Sequence, residues 1–245
     1  MNWRRSALNQ TRHHRSTVGM SSREAILNRL RTYRQPKPSQ PAQDRASATA
    51  SAALSMAEKV RLFTENLHAA HAEVITATQE DWAQRLLSLW RETGVHSVTY
   101  SPNTPHGASL KSAAPGFPEL QLHAYESPIE NCKDALFNHI QGGFGAAMAG
   151  VAETGTLMVK TGPDEPRALS LVPSTHSLII HAKDLYADLP EAFHQTQVES
   201  ALPTNLLLIS GPSKTADIQQ TLAYGAHGPK RLIVVLIVAE ESDRD

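Results

Sequence analysis

The sequence of 245 residues holds a single cysteine, Cys132. A disulfide within the chain is excluded, and a reducing compartment such as the cytoplasm suits it. One thiol also falls short of the four that usually hold an iron–sulfur cluster. No apolar run approaches the ~18 residues of a membrane span. Arg4, Arg5, Arg12 and Arg15 precede no apolar core, so they do not open a secretory signal. The net charge of −1 leaves no electrostatic footprint for nucleic acid or an anionic membrane. The histidines form no HExxH or comparable ligand spacing, and no metal site is expected. His176 and His181 lie five apart, so an extended strand would put them on opposite faces. A GxxxxGK[ST] phosphate loop and a GxSxG nucleophile elbow are both missing, and no internal repeat is seen.

What the chain does have is enough apolar residues for one sizeable core. Residues 1–19 read as a disordered basic tail, or as sequence upstream of a start at Met20. Residues 20–52 read as an N-terminal helix followed by a Pro/Ser/Ala-rich linker. Residues 53–240 form the main domain, and 241–245 an acidic C-terminal tail.

Four helix starts are marked. Ser21-Ser22-Arg23-Glu24 is a capping box before Ile26, Leu27 and Leu30. Ser55-Met56-Ala57-Glu58 is another, with Val60, Phe63 and Leu67 on one face. A third helix begins near Thr78, carries Trp82, Leu86 and Leu89 and ends by Gly94. Ser127-Pro128-Ile129-Glu130 opens a fourth, with the stripe Ile129, Cys132, Leu136 and Ile140. Gln141-Gly142-Gly143-Phe144-Gly145 is a fragment of a dinucleotide loop, but Met148 stands where its third glycine belongs. It reads as the stop of that fourth helix. Strands are expected at 98–101, 120–124, 157–160, 178–181, 206–209 and 232–238. The last is apolar throughout, as in a strand covered on both faces. Alternating helices and strands predict an α/β fold: a largely parallel sheet with flanking helices and a helical N-terminal part.

Two segments can carry chemistry. The first is Glu153-Thr154-Gly155-Thr156, a polar break between apolar stretches. Glu153 can serve as base, nucleophile or hydrogen-bond acceptor, and Gly155 lets backbone approach a ligand. Equally, the segment can be a turn joining two strands, with Glu153 in solvent. The second runs from Ser210 to Pro229. It reads as strand, tight turn at Gly211-Pro212, short helix capped by Ser213 or Thr215 with the pair Ile218 and Leu222, and a stop at Gly225. A helix opening from a strand end exposes N–H groups that bind anions. Ser213, Lys214 and Thr215 can add donors, while Asp217 in the first turn competes with an anion or orients Lys214. His227, before Gly228, can act as acid, base or donor. The alternative is a well-capped helix without a ligand.

Three segments together resemble the LUD-domain family, and most closely its lactate-utilisation protein C group. They are Gly150-Val151-Ala152-Glu153-Thr154-Gly155-Thr156, Pro173-Ser174-Thr175-His176, and Ser210-Gly211-Pro212-Ser213-Lys214-Thr215-Ala216-Asp217-Ile218 with Gly225-Ala226-His227-Gly228-Pro229. The resemblance covers roughly residues 20–240; residues 1–19 have no counterpart. It implies a fold like that of the ribose-phosphate isomerase and CoA-transferase superfamily. It further implies a part in oxidising L-lactate to pyruvate beside iron–sulfur and cysteine-rich partner subunits, with no cofactor bound by this chain. On that expectation Thr154, Gly155, Thr156, Gly211, Ser213, Lys214, Thr215, Asp217 and Gly228 bind a small anion or a partner loop, with Glu153 and His227 as catalytic groups. Two alternatives stand beside it. One is an enzyme for a CoA thioester or sugar phosphate with Glu153 as nucleophile or base; the other is a structural scaffold.

Overall fold

A computed structural model describes residues 22–33, 54–198, 200, 203–216, 222–224 and 228–239. The predicted tails, the 35–51 linker, Asp217, Gly225 and His227 lie outside the described residues. The chain divides into two units, 1–50 and 51–245. In the first, helix α1 (Ser22–Tyr33) forms where the Ser-Ser-Arg-Glu signature predicts it, with Glu24 in its first turn.

The second unit opens with α2 (Met56–Ala69). Its capping box is made in full: the Ser55 N–H donates to Glu58 Oε2 at 2.8 Å, and the Glu58 N–H donates to Ser55 Oγ at 3.3 Å. Phe63 and Leu67 carry its buried stripe. After β1 (Glu73–Ala77) comes α3 (Trp82–Glu92), introduced by a reciprocal bond pair between Thr78 and Asp81. Next come β2 (Ser97–Tyr100), α4 (Pro105–Ala113), β3 (Gln121–Ala124) and α5 (Ile129–Asn138). Thr104 caps α4, and Pro105 opens it. In α5 the cap residue is Pro128 and no side chain caps the helix, so the Ser127 cap is not realised.

The remaining elements are β4 (Gly142–Ala146), β5 (Ala149–Val151), β6 (Thr156–Thr161), α6 (Arg167–Leu171), β7 (Thr175–His181), β8 (Leu185–Tyr186), α7 (Leu189–Thr196), β9 (Asn205–Ile209), β10 (Lys214–Ala216), β11 (Leu222–Tyr224) and β12 (Arg231–Ile237). Six strands form one parallel sheet in the order β1-β12-β7-β4-β2-β3. The expected α/β class and largely parallel sheet are thus present. One face, with Ile179, Ile233, Val235 and Phe144, is covered by Trp82, Leu86 and Trp90 of α3. On the other, Leu178, Ile180, Leu232, Val234 and Leu236 pack on Phe63 and Leu67 of α2 and Leu157 and Val159 of a smaller sheet. That smaller sheet has the order β8-β5-β6-β9. Among the described residues no helix is long and apolar enough to cross a membrane.

Two expectations are corrected. Gly142 and Gly143 do not stop a helix but begin β4, well inside the sheet. Glycine is used there because neighbours come close: a Cβ on Gly143 would run into the Leu169 carbonyl, and one on Gly142 would lie 3.0 Å from the Val98 side chain. The second correction concerns the segment after Pro212. Residues 214–216 and 222–224 are not helical but pair antiparallel as β10 and β11, Lys214 opposite Tyr224. The Ser213 N–H donates to the Pro229 carbonyl at 2.8 Å, which holds both ends of the segment together. An antiparallel pair returns the chain to its origin, whereas a helix carries it away at ~1.5 Å per residue.

Gly155 has φ +62°, and a Cβ there would lie 2.9 Å from the Leu67 nitrogen of α2. Gly155→Ala is expected to lower stability by roughly 1–3 kcal/mol, and Glu153→Ala on the same turn by less than about 0.5 kcal/mol. Urea denaturation of both variants checks this; equal effects would mean the turn is not held against α2.

Candidate functional site

The 152–155 turn is fixed from three directions. The Ala152 and Glu153 N–H groups donate to the Tyr186 and Ala187 carbonyls at 2.8 and 3.0 Å. Asn66 Nδ2 of α2 donates to the Ala152 and Glu153 carbonyls at 2.9 and 3.0 Å. The Glu153 side chain is exposed. The ETGT segment forms a turn joining two strands, the β5–β6 hairpin.

Antiparallel pairing of β6 with β9, Leu157 opposite Ile209, then carries this turn to the second motif. Thr154 Oγ1 and Thr156 Oγ1 are 2.7 Å apart, and Thr156 Oγ1 and Ser210 Oγ are also 2.7 Å apart. A row of three hydroxyls therefore links the ETGT turn to the Ser210-Gly211-Pro212 turn. Beyond Ser210, Gly211 (φ +152°) passes against Ala70, the cap residue after α2, where a Cβ would come 3.0 Å from the Ala70 Cβ.

Beneath these turns lies a cavity of about 180 Å³. Its wall runs from Leu208 to Ser213 and takes in Gly228 and Pro229; its far side is Ser170, Leu171, His176 and Leu232. His176 and Leu232 are register partners near the amino ends of β7 and β12, so the cavity opens at that end of the sheet. All three resemblance segments meet here: the third lines the cavity directly, the second supplies His176, and the first is bonded to its rim through Ser210. Lys214 is exposed on β10 and outside the lining, and Thr215 is its neighbour on that strand. Glu153 is outside it too. With 214–216 in a strand, no helix N-terminus points at the cavity from these residues, and the Ser213 N–H is already bonded to Pro229.

Sequence reasoning did not select the cavity's two polar floor residues. Ser170 and His176 are 2% and 1% exposed, and neither Ser170 Oγ nor His176 Nε2 has a hydrogen-bond partner among the described residues. An unpaired buried polar atom costs roughly 1–3 kcal/mol. Burial lowers the His176 pKa from 6.5 to about 3, so the imidazole is neutral. A signal was present: a histidine one step into a strand that is otherwise apolar on that face needs a partner. Glu165 was also missed. Burial raises its carboxyl from 4.5 to about 8, against an opposing hydrogen bond from the Ala146 N–H. It sits over Gly145, where a Cβ would strike its carboxylate.

A second, larger cavity of about 530 Å³ lies at the carboxyl ends of β1, β7 and β12. It is lined by Thr78, Gln79, Glu80, His181, Lys183 and the chain after Ile237, and none of the described residues of the three segments lines it. As the five-residue spacing predicts, His181 points away from His176, its ring 5.7 Å from that of His106. Among the described residues no three His, Cys, Asp or Glu side chains converge as a metal site would need.

The LUD domain model matches residues 60–237. An uncharacterized protein of Neisseria meningitidis serogroup B is 37% identical over 184 residues, 75% of this chain and 78% of that one. Lactate utilization protein C 1 of Bacillus mycoides is 26% identical over 191 residues, 75% of this chain and 81% of that protein. Lactate utilization protein C of Bacillus pumilus is 28% identical over 194 residues, 75% and 80% of the two chains. The crystal structure of a DUF162 family protein from Deinococcus radiodurans superposes with a TM-score of 0.56 at 19% identity, over 76% of this chain and 99% of that one. This last likeness concerns the fold alone.

The buried imidazole makes stability depend on pH. Above about pH 6.5 the folded and unfolded chains both hold it neutral. Below that, the unfolded chain binds a proton that the folded chain refuses until about pH 3, so this contribution is lost as pH falls. Glu165 acts in the opposite sense, its contribution fading as pH rises from 4.5 to about 8. His176→Leu is expected to remove an acid-side slope of at most about 1.4 kcal/mol per pH unit. Urea midpoints at pH 7 and pH 4.5 for both proteins check it; parallel losses in the two would show that His176 is not the titrating group.

Proposed function

Because the chain belongs to the LUD-domain family, we propose that it is a subunit of an L-lactate utilisation system and holds a small acid beneath its motif loops. The observation that carries this reading is the convergence of the three family-like segments on the one cavity at the amino ends of β7 and β12. Relatives named lactate utilization protein C cover three-quarters of the chain and support the lactate role.

The cavity's size supports a small ligand. About 180 Å³ corresponds to roughly six water molecules at ~30 Å³ each. That is room for a three-carbon acid, and less than the ~300–1,000 Å³ of sites that enclose drug-sized ligands. A CoA thioester or sugar phosphate would have to remain mostly outside, and Glu153 does not line the space. The stand-alone enzyme reading therefore has less support.

Oxidation of L-lactate to pyruvate removes two electrons and two protons. In this proposal the electrons pass to iron–sulfur and cysteine-rich partner subunits, since the single cysteine suits a chain without a thiolate-held cluster. The chain works in the cytoplasm, binds no cofactor itself, and presents its ligand or its motif loops to those partners.

Cells deprived of the chain are expected to lose growth on L-lactate while keeping growth on pyruvate, and the purified chain alone is expected to reduce no dye with L-lactate. Normal growth on L-lactate would remove the lactate role. Robust lactate-dependent dye reduction by the pure chain would remove the subunit role and make it the oxidising enzyme.

A further inference from the structure

Ser170 and His176 form the floor of the motif cavity, and they are chemically unusual there. Each is almost wholly buried, each ends in a polar atom without a partner among the described residues, and both residues line the same cavity. Two further buried side-chain atoms among the described residues, Ser101 Oγ and Glu165 Oε1, also lack a partner, but neither lines this cavity; on the opposite face of the same strand Trp90 Nε1 donates to Ser177 Oγ at 3.0 Å. The rest of the cavity wall is mainly apolar, with Leu171, Leu208, Ile209, Pro212 and Leu232. Among the described residues no Lys, Arg, Asp or Glu lines it.

We infer that this floor is a recognition site for an uncharged oxygen, the hydroxyl or carbonyl at C2 of a small 2-hydroxy or 2-oxo acid, whose carboxylate stays at the rim. The inference rests on the lactate reading above and adds which end of the acid enters. A hydroxyl both donates and accepts, and Ser170 Oγ and His176 Nε2 can complement it in either direction. A ketone oxygen only accepts; it is met by the serine O–H and the Nε2–H tautomer. Neither partner need change charge between the two. A carboxylate at the same floor would be buried with no cation among the described residues to pair it, since the imidazole is neutral and the described wall carries no charge, and that is strongly unfavourable. At the rim, Ser210 is exposed and Ser213 and Gly228 are half-buried, so a carboxylate there keeps its water. The methyl group of a three-carbon acid meets the leucine and proline wall.

The test is calorimetric titration of the purified full chain with L-lactate, pyruvate and propionate; propionate keeps the carboxylate and methyl end and lacks the C2 oxygen. L-lactate or pyruvate is expected to bind at least tenfold tighter than propionate, because propionate leaves both floor groups unpaired. Ser170→Ala should weaken L-lactate about tenfold and leave propionate unchanged or improved, and His176→Asn should act in the same direction. A merely structural role for Ser170 would weaken both ligands alike. Equal affinity for propionate and L-lactate, or a parallel loss in Ser170→Ala, would overturn the inference. So would the lack of any binding of L-lactate and pyruvate at tens of millimolar, which leaves the floor to ordered water. The growth assay judges the lactate role separately, so the two readings fail by different observations.

Discussion

Strands β7 and β12 are buried on both faces, and a strand's period of two leaves no freedom over which side chain goes where. Ser177, Ile179 and His181 must face α3 and α4, while His176, Leu178 and Ile180 must face the smaller sheet. The same parity sends Leu232, Val234 and Leu236 to the second face. A slip of one residue would put His176 among the tryptophans and leave Ser177 against the motif loops. The cavity therefore exists in its present form because the Leu232–His176 register is held by two apolar layers at once. Nothing at the site itself is strong enough to set that register.

The smaller sheet converts sequence distance into a site. Residues 154–156 and 210–213 are more than fifty positions apart, and β6–β9 pairing brings them to hydroxyl-bonding distance. The Ser213–Pro229 bond then closes the far end of the motif over the cavity. The result is a pocket of uneven character, with mainly apolar walls, two polar residues unpaired among the described ones at the bottom and an exposed rim. Such a site discriminates through what an unsuitable ligand leaves unpaired rather than through charge attraction.

Local chemistry made some of this legible in the sequence. The Ser55–Glu58 capping box depends on residues three apart, and a helix terminus follows from it directly. The six apolar residues before Val238 announced a strand covered on both sides, and β12 is one. Strand β4 was hidden for a physical reason. Its Gly-Gly-Phe-Gly sequence has little β preference, and those glycines are there because Leu169, Val98 and Glu165 crowd the positions their side chains would fill. Likewise Ile218 and Leu222 offered a helical spacing of four, but Ser213 and Pro229 are tied together and the chain returns as β10 and β11.

The candidate site divides along the same line. Its motif loops, their turn residues and the α/β class were present in residue order, because glycines at turns and apolar periodicity act over a few residues. The roles of those loops were decided by packing. Glu153, the most reactive-looking residue of the first motif, is exposed on a hairpin turn, since Asn66 and the Tyr186–Ala187 backbone hold that turn by its peptide groups. Ser170 and His176 carry no local mark of function. They become the floor of a cavity only when α6, β7 and the loop after β9 are stacked, because whether a polar atom is left unpaired depends on what the whole fold places around it.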